Sequence, residues 1–180
     1  DNFTAQLCGY YGGTIGFGPQ QSDSLNLTAG IFGTPVIIGE GDVQFYENGF
    51  SVKILGTIIS IPDAEGINRA FTNNTPHTEF GAYGEIAYNI LENIEEAKSQ
   101  QLIAFVRYET LDMNASIPSN GILDGTLQQH HLSTGLSYLP INNVVIKADA
   151  RFVTTGNQNP LLVMNPDPAI PSYQTKNAIV

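Results

Sequence analysis

The sequence predicts an all-β fold: residues 1–180 form one antiparallel segment of a transmembrane β-barrel. Three observations support this prediction. Apolar residues recur with a period of 2, the charged residues of the predicted strands share one parity away from the strand ends, and short connections alternate with long polar ones. Together these features are typical of strands that present one face to lipid and the other to a polar lumen.

Charge and composition exclude several classes of function. The chain has 17 acidic and seven basic residues, a net charge of −10. It therefore offers no basic stripe for nucleic acid and no basic helix face for anionic lipid. The sequence contains no run of 18 apolar residues, so no transmembrane helix is predicted. The single cysteine, Cys8, cannot form an internal disulfide or a zinc site alone, and we expect neither metal nor cofactor.

Period-2 alternation predicts seven strands and the beginning of an eighth at Lys176. The first is more than twice as long as a typical soluble strand of about 5–6 residues, but suits a tilted strand that crosses a bilayer. The seven predicted strands are Asn2–Ile15, Val36–Glu47, Phe50–Ile61, Glu79–Leu91, Leu102–Asp112, His131–Leu139 and Val144–Val153.

The connections between these strands are expected to alternate in length. Asn48-Gly49 predicts a type I′ hairpin turn, because both central residues of that turn need positive φ. Residues 92–101 and 140–142 are also expected to be short, whereas 18–35, 62–78, 113–130 and 154–175 are expected to be long loops. Short turns at one end and long loops at the other are typical of membrane barrels. Residues 24–33 also alternate, but we place them in the first long loop because another strand would break this pattern.

Away from the strand ends, the charged residues of the predicted strands all lie on the polar parity. They are Glu40, Asp42, Lys53, Glu85, Arg107, Glu109, Lys147, Asp149 and Arg151, and we predict that they line a pore. A charge on the lipid face at mid-bilayer costs about 2–4 kcal/mol, so this separation is expected in a membrane barrel. The apolar parity is rich in Ala and Gly, which would fill a soluble core poorly.

The row Lys147-Asp149-Arg151 is expected to face Arg107 and Glu109 across strands. Two roles are open for these charges. They set the field of an aqueous lumen, or they form a structural lattice of salt bridges.

Several segments, in order along residues 36–153, resemble phosphate-selective-porin-like outer-membrane proteins near their C-terminus. The segments are Gly39–Val43, Gly49-Phe50, Ile61–Ala64, Ile67-Asn68, Gly81–Tyr88, Phe105–Glu109, Thr134–Pro140 and Asn143–Asp149. The resemblance implies a larger barrel of 16 or 18 strands, often a homotrimer, in the outer membrane of a Gram-negative bacterium.

The chain departs from that family in having no signal peptide, no N-terminal half of the barrel and no terminal aromatic residue. We therefore expect a fragment that lacks N-terminal strands and the final strand. Phosphate selectivity is not expected, because the inward charges are mixed, with five acids against four bases.

No catalytic residues are predicted. The sequence has no nucleophile elbow, paired-histidine metal motif or phosphate loop, and His130 and His131 should point to opposite faces of a strand. We expect a passive channel for small polar or anionic solutes, with membrane lipid, those solutes and two further copies of the chain as partners. Two alternatives remain open: a soluble β-sandwich that binds a ligand through its long loops, and a structural outer-membrane barrel that transports nothing.

Overall fold

The computed structural model describes residues 2–13, 35–141 and 143–160, together with the backbone of 177–179. The residues 24–33 that we assigned to a loop lie outside this described part. Eight strands are present in it: β1 (Phe3–Gly13), β2 (Pro35–Glu47), β3 (Phe50–Ser60), β4 (Thr78–Asn89), β5 (Gln101–Ser116), β6 (Gln128–Ile141), β7 (Val144–Thr155) and β8 (Asn177–Ile179).

The eight strands form one sheet in sequence order, and each strand is antiparallel to its neighbours. The predicted all-β, antiparallel, up-and-down fold is confirmed. β8 begins next to the predicted start at Lys176. Within the described residues β1 and β8 lie at the two ends of the sheet, so the sheet has the form of an open barrel segment.

The turn between β2 and β3 is the predicted tight hairpin. Glu47 pairs with Phe50, and the two residues between them have φ of 49° (Asn48) and 76° (Gly49). Asparagine tolerates this left-handed region better than most residues, and glycine adopts it freely. A Cβ atom added to Gly49 would also lie 2.8 Å from the Cβ of Glu92, so glycine fits here for two reasons.

The predicted strict alternation of connection lengths is wrong in the middle of the sheet. Connection 90–100, expected to be short, is as long as connection 117–127, expected to be long. The difference arises because β5 continues to Ser116 instead of ending at Asp112, and β6 begins at Gln128 instead of His131. Ser116 pairs with Thr78, and its carbonyl accepts a hydrogen bond from the His77 N–H at 2.8 Å. The two tightest connections, 48–49 and 142–143, still lie at the same end of the sheet.

The predicted loop 62–78 contains a helix, α1 (Ala64–Phe71), which the sequence analysis missed. Its buried residues are Ala64, Ile67 and Asn68, while Arg69 and Glu65 form an exposed salt bridge of 3.0 Å. The spacing of Ala64 and Ile67 and of Glu65 and Arg69 is helical and was the available signal.

The loops at the end of the sheet that carries α1 are joined by asparagine side chains, and we call residues 61–77, 117–127 and 156–160 the loop layer. Asn74 exchanges two hydrogen bonds with the backbone of Ile122, at 2.7 and 2.8 Å. Asn120 donates to the Glu65 carbonyl at 2.9 Å, and Asn159 donates to the Leu123 carbonyl at 2.6 Å. These bonds connect three segments that are distant in sequence.

Burial in the sheet is inverted relative to a soluble protein. Large apolar side chains of the strands are exposed, including Leu7 at 88% and Ile146 at 61%. Small polar side chains of the other face are buried, including Ser133 at 5% and Ser137 at 8%. A curved sheet encloses the side chains of its inner face, so the polar face is the inner face and the apolar face is the outer face.

Candidate functional site: the polar inner face

Register places all nine predicted site residues on the inner face, since residues directly opposite one another in a sheet share a face. One continuous row contains five residues, one from each of five adjacent strands: Lys53, Glu85, Arg107, Ser133 and Arg151. The neighbouring row contains Asp42, Tyr83, Glu109 and His131. Strand pairing therefore assembles a charged wall from residues far apart in sequence.

Glu85 is the centre of the ion pairs in this wall. It lies 2.6 Å from Nη2 of Arg107 and 3.7 Å from Nζ of Lys53, and its side chain is 12% exposed. Arg107 also donates from Nη1 to Glu109 at 3.3 Å and lies over the ring of Tyr83, 4.7 Å from its centroid. The charges of Glu85 and Glu109 are thus largely compensated by the two cations beside them.

The row on β7 does not face Arg107 and Glu109, so that prediction is wrong. β6 lies between β5 and β7: Arg107 is opposite Ser133, and Ser133 is opposite Arg151. Alternation assigns residues to a face but does not say which strands are adjacent or how they are offset. The direct partner of Arg107 across the sheet is Glu85 of β4.

From Ser133 to Ser137 the inner face of β6 carries only small side chains, between the charged residues of β5 and those of β7. Ser133, Gly135 and Ser137 leave a recess of about 340 Å³, bordered by Phe105 of β5 and by Lys147 of β7. Lys147 reaches across β6 and lies 5.4 Å from the centroid of the Phe105 ring. Because the inner-face side chains of β6 are so small here, residues of β5 and β7 come into contact across it.

Acidic and basic residues are not evenly distributed over the inner face. Glu40 and Asp42 lie on β2 and form no ion pair with any described residue. Lys147, Asp149 and Arg151 lie at the far side of the sheet on β7. The inner face therefore has an acidic side at β2 and a mainly basic side around the recess.

The two adjacent histidines lie on opposite faces, as predicted. His131 is on the inner face, where Nε2 contacts the Gln129 side chain at 3.1 Å and Nδ1 lies 3.9 Å from Glu109. His130 is on the outer face, where its ring stacks on Tyr108 and contacts the tyrosine hydroxyl at 3.0 Å. They do not form a paired metal site.

Sequence reasoning missed three inner-face residues that the structure brings into the site: Phe105, Ser133 and His131. Phe105 and Ile103 are apolar residues on the polar parity, directly before Arg107, and this break in the alternation was the available signal. Nothing in the sequence distinguishes Ser133 from other strand serines, because its importance comes from its position between two arginines.

The part of the chain that the structure describes contains no group of three or more His, Cys, Asp or Glu side chains arranged to hold a metal ion. Among the same residues no helix has the length and apolar character needed to span a membrane.

Comparison with known proteins gives one informative relative. No family model matches the chain, and no solved structure matches it significantly. The chain is similar to a protein of Aquifex aeolicus (strain VF5) that is described as an uncharacterized protein, with 31% identity over 110 residues. The match covers 56% of this chain and 25% of the relative, so the chain spans about a quarter of the length of that protein.

Proposed function

We propose that this chain is part of an outer-membrane β-barrel that lets small polar or anionic solutes diffuse through a lumen lined by its polar inner face. The observation that carries the proposal is the inverted burial. Large apolar side chains such as Leu7, Ile54 and Ile86 are more than half exposed on the outer face, whereas ion pairs and serines occupy the inner face. Hydrocarbon is the environment that stabilises such an outer face.

A soluble β-sandwich fits this arrangement poorly. A sandwich buries the apolar face of each sheet against a second sheet about 10 Å away. The described residues form a single sheet, and the fully buried apolar residues among them are only Ala64, Ile67 and Ala87. Two of these three lie in α1, outside the sheet, so the strands do not share a conventional core.

Aromatic residues border the outer apolar face at both ends of the sheet. Near the tight turns they are Phe3, Phe45, Phe50, Tyr88 and Tyr138, and near the loop layer they are Tyr11, Phe80, Tyr108 and Phe152. Tyr138 donates its hydroxyl hydrogen to Gln100 at 2.7 Å, beyond the end of the sheet. Aromatic belts of this kind mark the two interfaces of a membrane.

The belt near the turns also agrees with tilted strands. On β1 the belt is marked by Phe3, which is level with Val52 of β3, whereas the belt residue of β3 is Phe50, two residues nearer the turns. Phe50 is in turn level with Leu136 of β6, whereas the belt residue of β6 is Tyr138, again two residues nearer the turns. From β1 to β6 the belt therefore shifts by four residues toward the turns. A shift of roughly 0.8 residue per strand, at about 3.4 Å per residue and 4.8 Å between strands, corresponds to a tilt of about 30°. Transmembrane barrel strands are tilted by about 35–45°.

The resemblance to phosphate-selective-porin-like proteins and the greater length of the Aquifex aeolicus relative support a larger barrel, to which further strands contribute. By the same resemblance we propose a homotrimer of barrels with 16 or 18 strands each. Closure is needed in lipid, because each unpaired backbone group at an open sheet edge costs several kcal/mol in hydrocarbon.

Conductance of the full-length protein tests the proposal, and native Cys8 provides the probe. Cys8 is free, exposed and opposite Glu40 on the inner face. In planar bilayers we expect stepwise conductance in KCl, and we expect a charged methanethiosulfonate reagent to change the size of the steps. The matched control is Cys8→Ser, which should conduct but not respond.

Two results would contradict the channel. Protein that purifies from buffer without detergent would support the soluble sandwich. Protein that requires detergent but gives no conductance would support a structural barrel, which the compensated ion pairs of Glu85, Arg107 and Glu109 favour as the second candidate.

A further inference from the structure

The recess over β6 has two chemically different walls. On the β5 side, Phe105 and Ile103, together with Ala87 of β4, place apolar side chains on the inner face. These residues are level with Gly135 and Ser137, so no large side chain of β6 covers them. A solute in the recess meets apolar surface on this side.

The other wall offers hydrogen-bond donors and positive charge. Ser133 lies directly between Arg107 and Arg151, and Ser137 lies opposite Lys147. The Ser133 hydroxyl is buried and has no hydrogen-bond partner among the described residues. Arg151 forms no ion pair within the same part of the chain. A buried hydroxyl without a partner is unfavourable, so an acceptor atom supplied by a ligand would stabilise it.

The charge around the recess favours an anion. Four cationic side chains border it, Lys53, Arg107, Lys147 and Arg151, against the two carboxylates of Glu85 and Asp149. Glu85 and Glu109 compensate the charges of Lys53 and Arg107. The surplus positive charge comes from β7, where Lys147 and Arg151 flank a single acid, Asp149. The recess is therefore locally positive in a chain whose net charge is −10.

We propose that this recess is a subsite for small organic anions that carry a carboxylate next to an apolar group, such as a benzoate. The carboxylate accepts hydrogen bonds from Ser133 and pairs with Arg151 and Lys147. The apolar group packs on Phe105 and Ile103. Inorganic phosphate satisfies the charged wall but leaves the apolar wall without contact. This inference rests on the proposed function, because it assigns the inner face to solute binding.

Binding is measured separately from conductance. The full-length protein in detergent micelles is titrated with 4-fluorobenzoate and followed by ¹⁹F NMR. We expect saturable binding that acetate and orthophosphate displace only at several-fold higher concentration, since neither carries an apolar group that reaches Phe105.

Substitutions then separate the two walls. Arg151→Gln should weaken 4-fluorobenzoate binding about tenfold, as expected for the loss of one charge-assisted interaction. Phe105→Ala should weaken it about fivefold, yet leave the weaker binding of acetate unchanged, because only the ring contact is removed. The matched controls are Arg69→Gln in α1 and Phe80→Ala on the outer face, which should bind like the unmodified protein.

Each outcome decides one of the two ideas. Saturable binding without conductance keeps the subsite and removes the channel. Conductance without saturable binding overturns the subsite and leaves the channel intact. The same conclusion follows if Phe105→Ala and Arg151→Gln leave binding unchanged while circular dichroism shows that both variants are folded. Acetate binding as tightly as 4-fluorobenzoate would also overturn it, since the apolar wall would then contribute nothing.

Discussion

At the scale of single residues, Glu85 illustrates how the inner face balances its charge. The carboxylate receives hydrogen bonds from Arg107 at 2.6 and 2.8 Å and has Lys53 beside it. Arg107 is held on its other side by Glu109. Removal of the Glu85 charge therefore leaves two cations facing each other across β4, with only one acid nearby.

Glu85→Gln is expected to destabilise the protein by about 1.5–3 kcal/mol, the range for a hydrogen bond to a charged group. The matched control is Glu40→Gln on the same face, which has no ion pair with a described residue and should change stability by less than about 0.5 kcal/mol. Unfolding in detergent micelles, followed by circular dichroism, measures both. Equal effects of the two substitutions would show that the Glu85 ion pairs do not contribute.

Sequence alone determined the face of each charged residue but not its partner. Alternation assigned Arg107, Glu85 and Arg151 to one face, because the side-chain period of a strand is 2. The partner depends on the order and offset of the strands, which the sequence fixes directly only where a two-residue turn joins them. That is why the pair of Arg107 and Glu85 was missed, and why Arg151 was placed opposite the wrong strand.

At the scale of elements, the Asn48-Gly49 turn sets the register of β2 against β3. Gly49→Ala is expected to cost about 1–2 kcal/mol, because alanine is strained at positive φ and its Cβ would approach Glu92. Asn48→Gly keeps positive φ accessible and should cost only about 0.5 kcal/mol or less. Thermal unfolding of the two variants compares them directly. If both substitutions were equally tolerated, the turn would not be fixing the register.

Asp124 holds two segments of the loop layer together. Burial acts to raise the pKa of its carboxyl group. Hydrogen bonds from the Thr126 side chain and from the backbone N–H groups of Thr126 and Asn159 outweigh this effect of burial, and they hold the pKa below its usual value. A carboxyl group with a lowered pKa in the folded state stabilises that state when it is ionised. Its contribution is present above the unfolded pKa of about 3.9 and is lost as the pH falls through the folded value.

We therefore expect Asp124→Asn to lower the unfolding temperature at pH 7 but not at a pH below the folded pKa, where the native carboxyl is protonated as well. Melting curves of both proteins at pH 7 and at successively lower pH test this. A difference that stays equally large as the pH falls would mean that the charge of Asp124 does not stabilise the loop layer.

The elements that alternation predicted well are the long strands, and those it missed lie in the loop layer. β5 extends to Ser116 because the 61–77 segment folds back and supplies the His77 N–H as a partner. α1 is short, and its burial depends on loops from elsewhere in the sequence, including a hydrogen bond from Asn120 to its backbone. Such structure is determined by tertiary contacts, which local patterns do not contain.

At the scale of the whole molecule, the inverted distribution of side chains makes a prediction that separates lipid from water. Ile86 is 55% exposed on the outer face, between Val52 and Val106. Ile86→Lys should cost about 2–4 kcal/mol if this face contacts hydrocarbon, but less than about 0.5 kcal/mol if it contacts water. Urea unfolding of the full-length protein in lipid vesicles, followed by circular dichroism, measures the cost.

The control for this experiment lies on the opposite face. Thr57 is directly across from Glu40 on the inner face, so Thr57→Lys should be tolerated whichever environment surrounds the outer face. If Ile86→Lys destabilises the protein no more than Thr57→Lys does, the proposed membrane location is contradicted.

The sequential order of the strands has a consequence for how the sheet forms. Every pairing in the described sheet joins strands that follow one another in the chain. No strand must wait for a distant partner, so the sheet can grow by adding one hairpin at a time to an existing edge. The β2–β3 and β6–β7 hairpins, each closed by two residues, lose the least entropy on loop closure and are the natural starting points. Folding is therefore expected to spread outward from these two hairpins, with the entropic cost of each addition limited to a single loop.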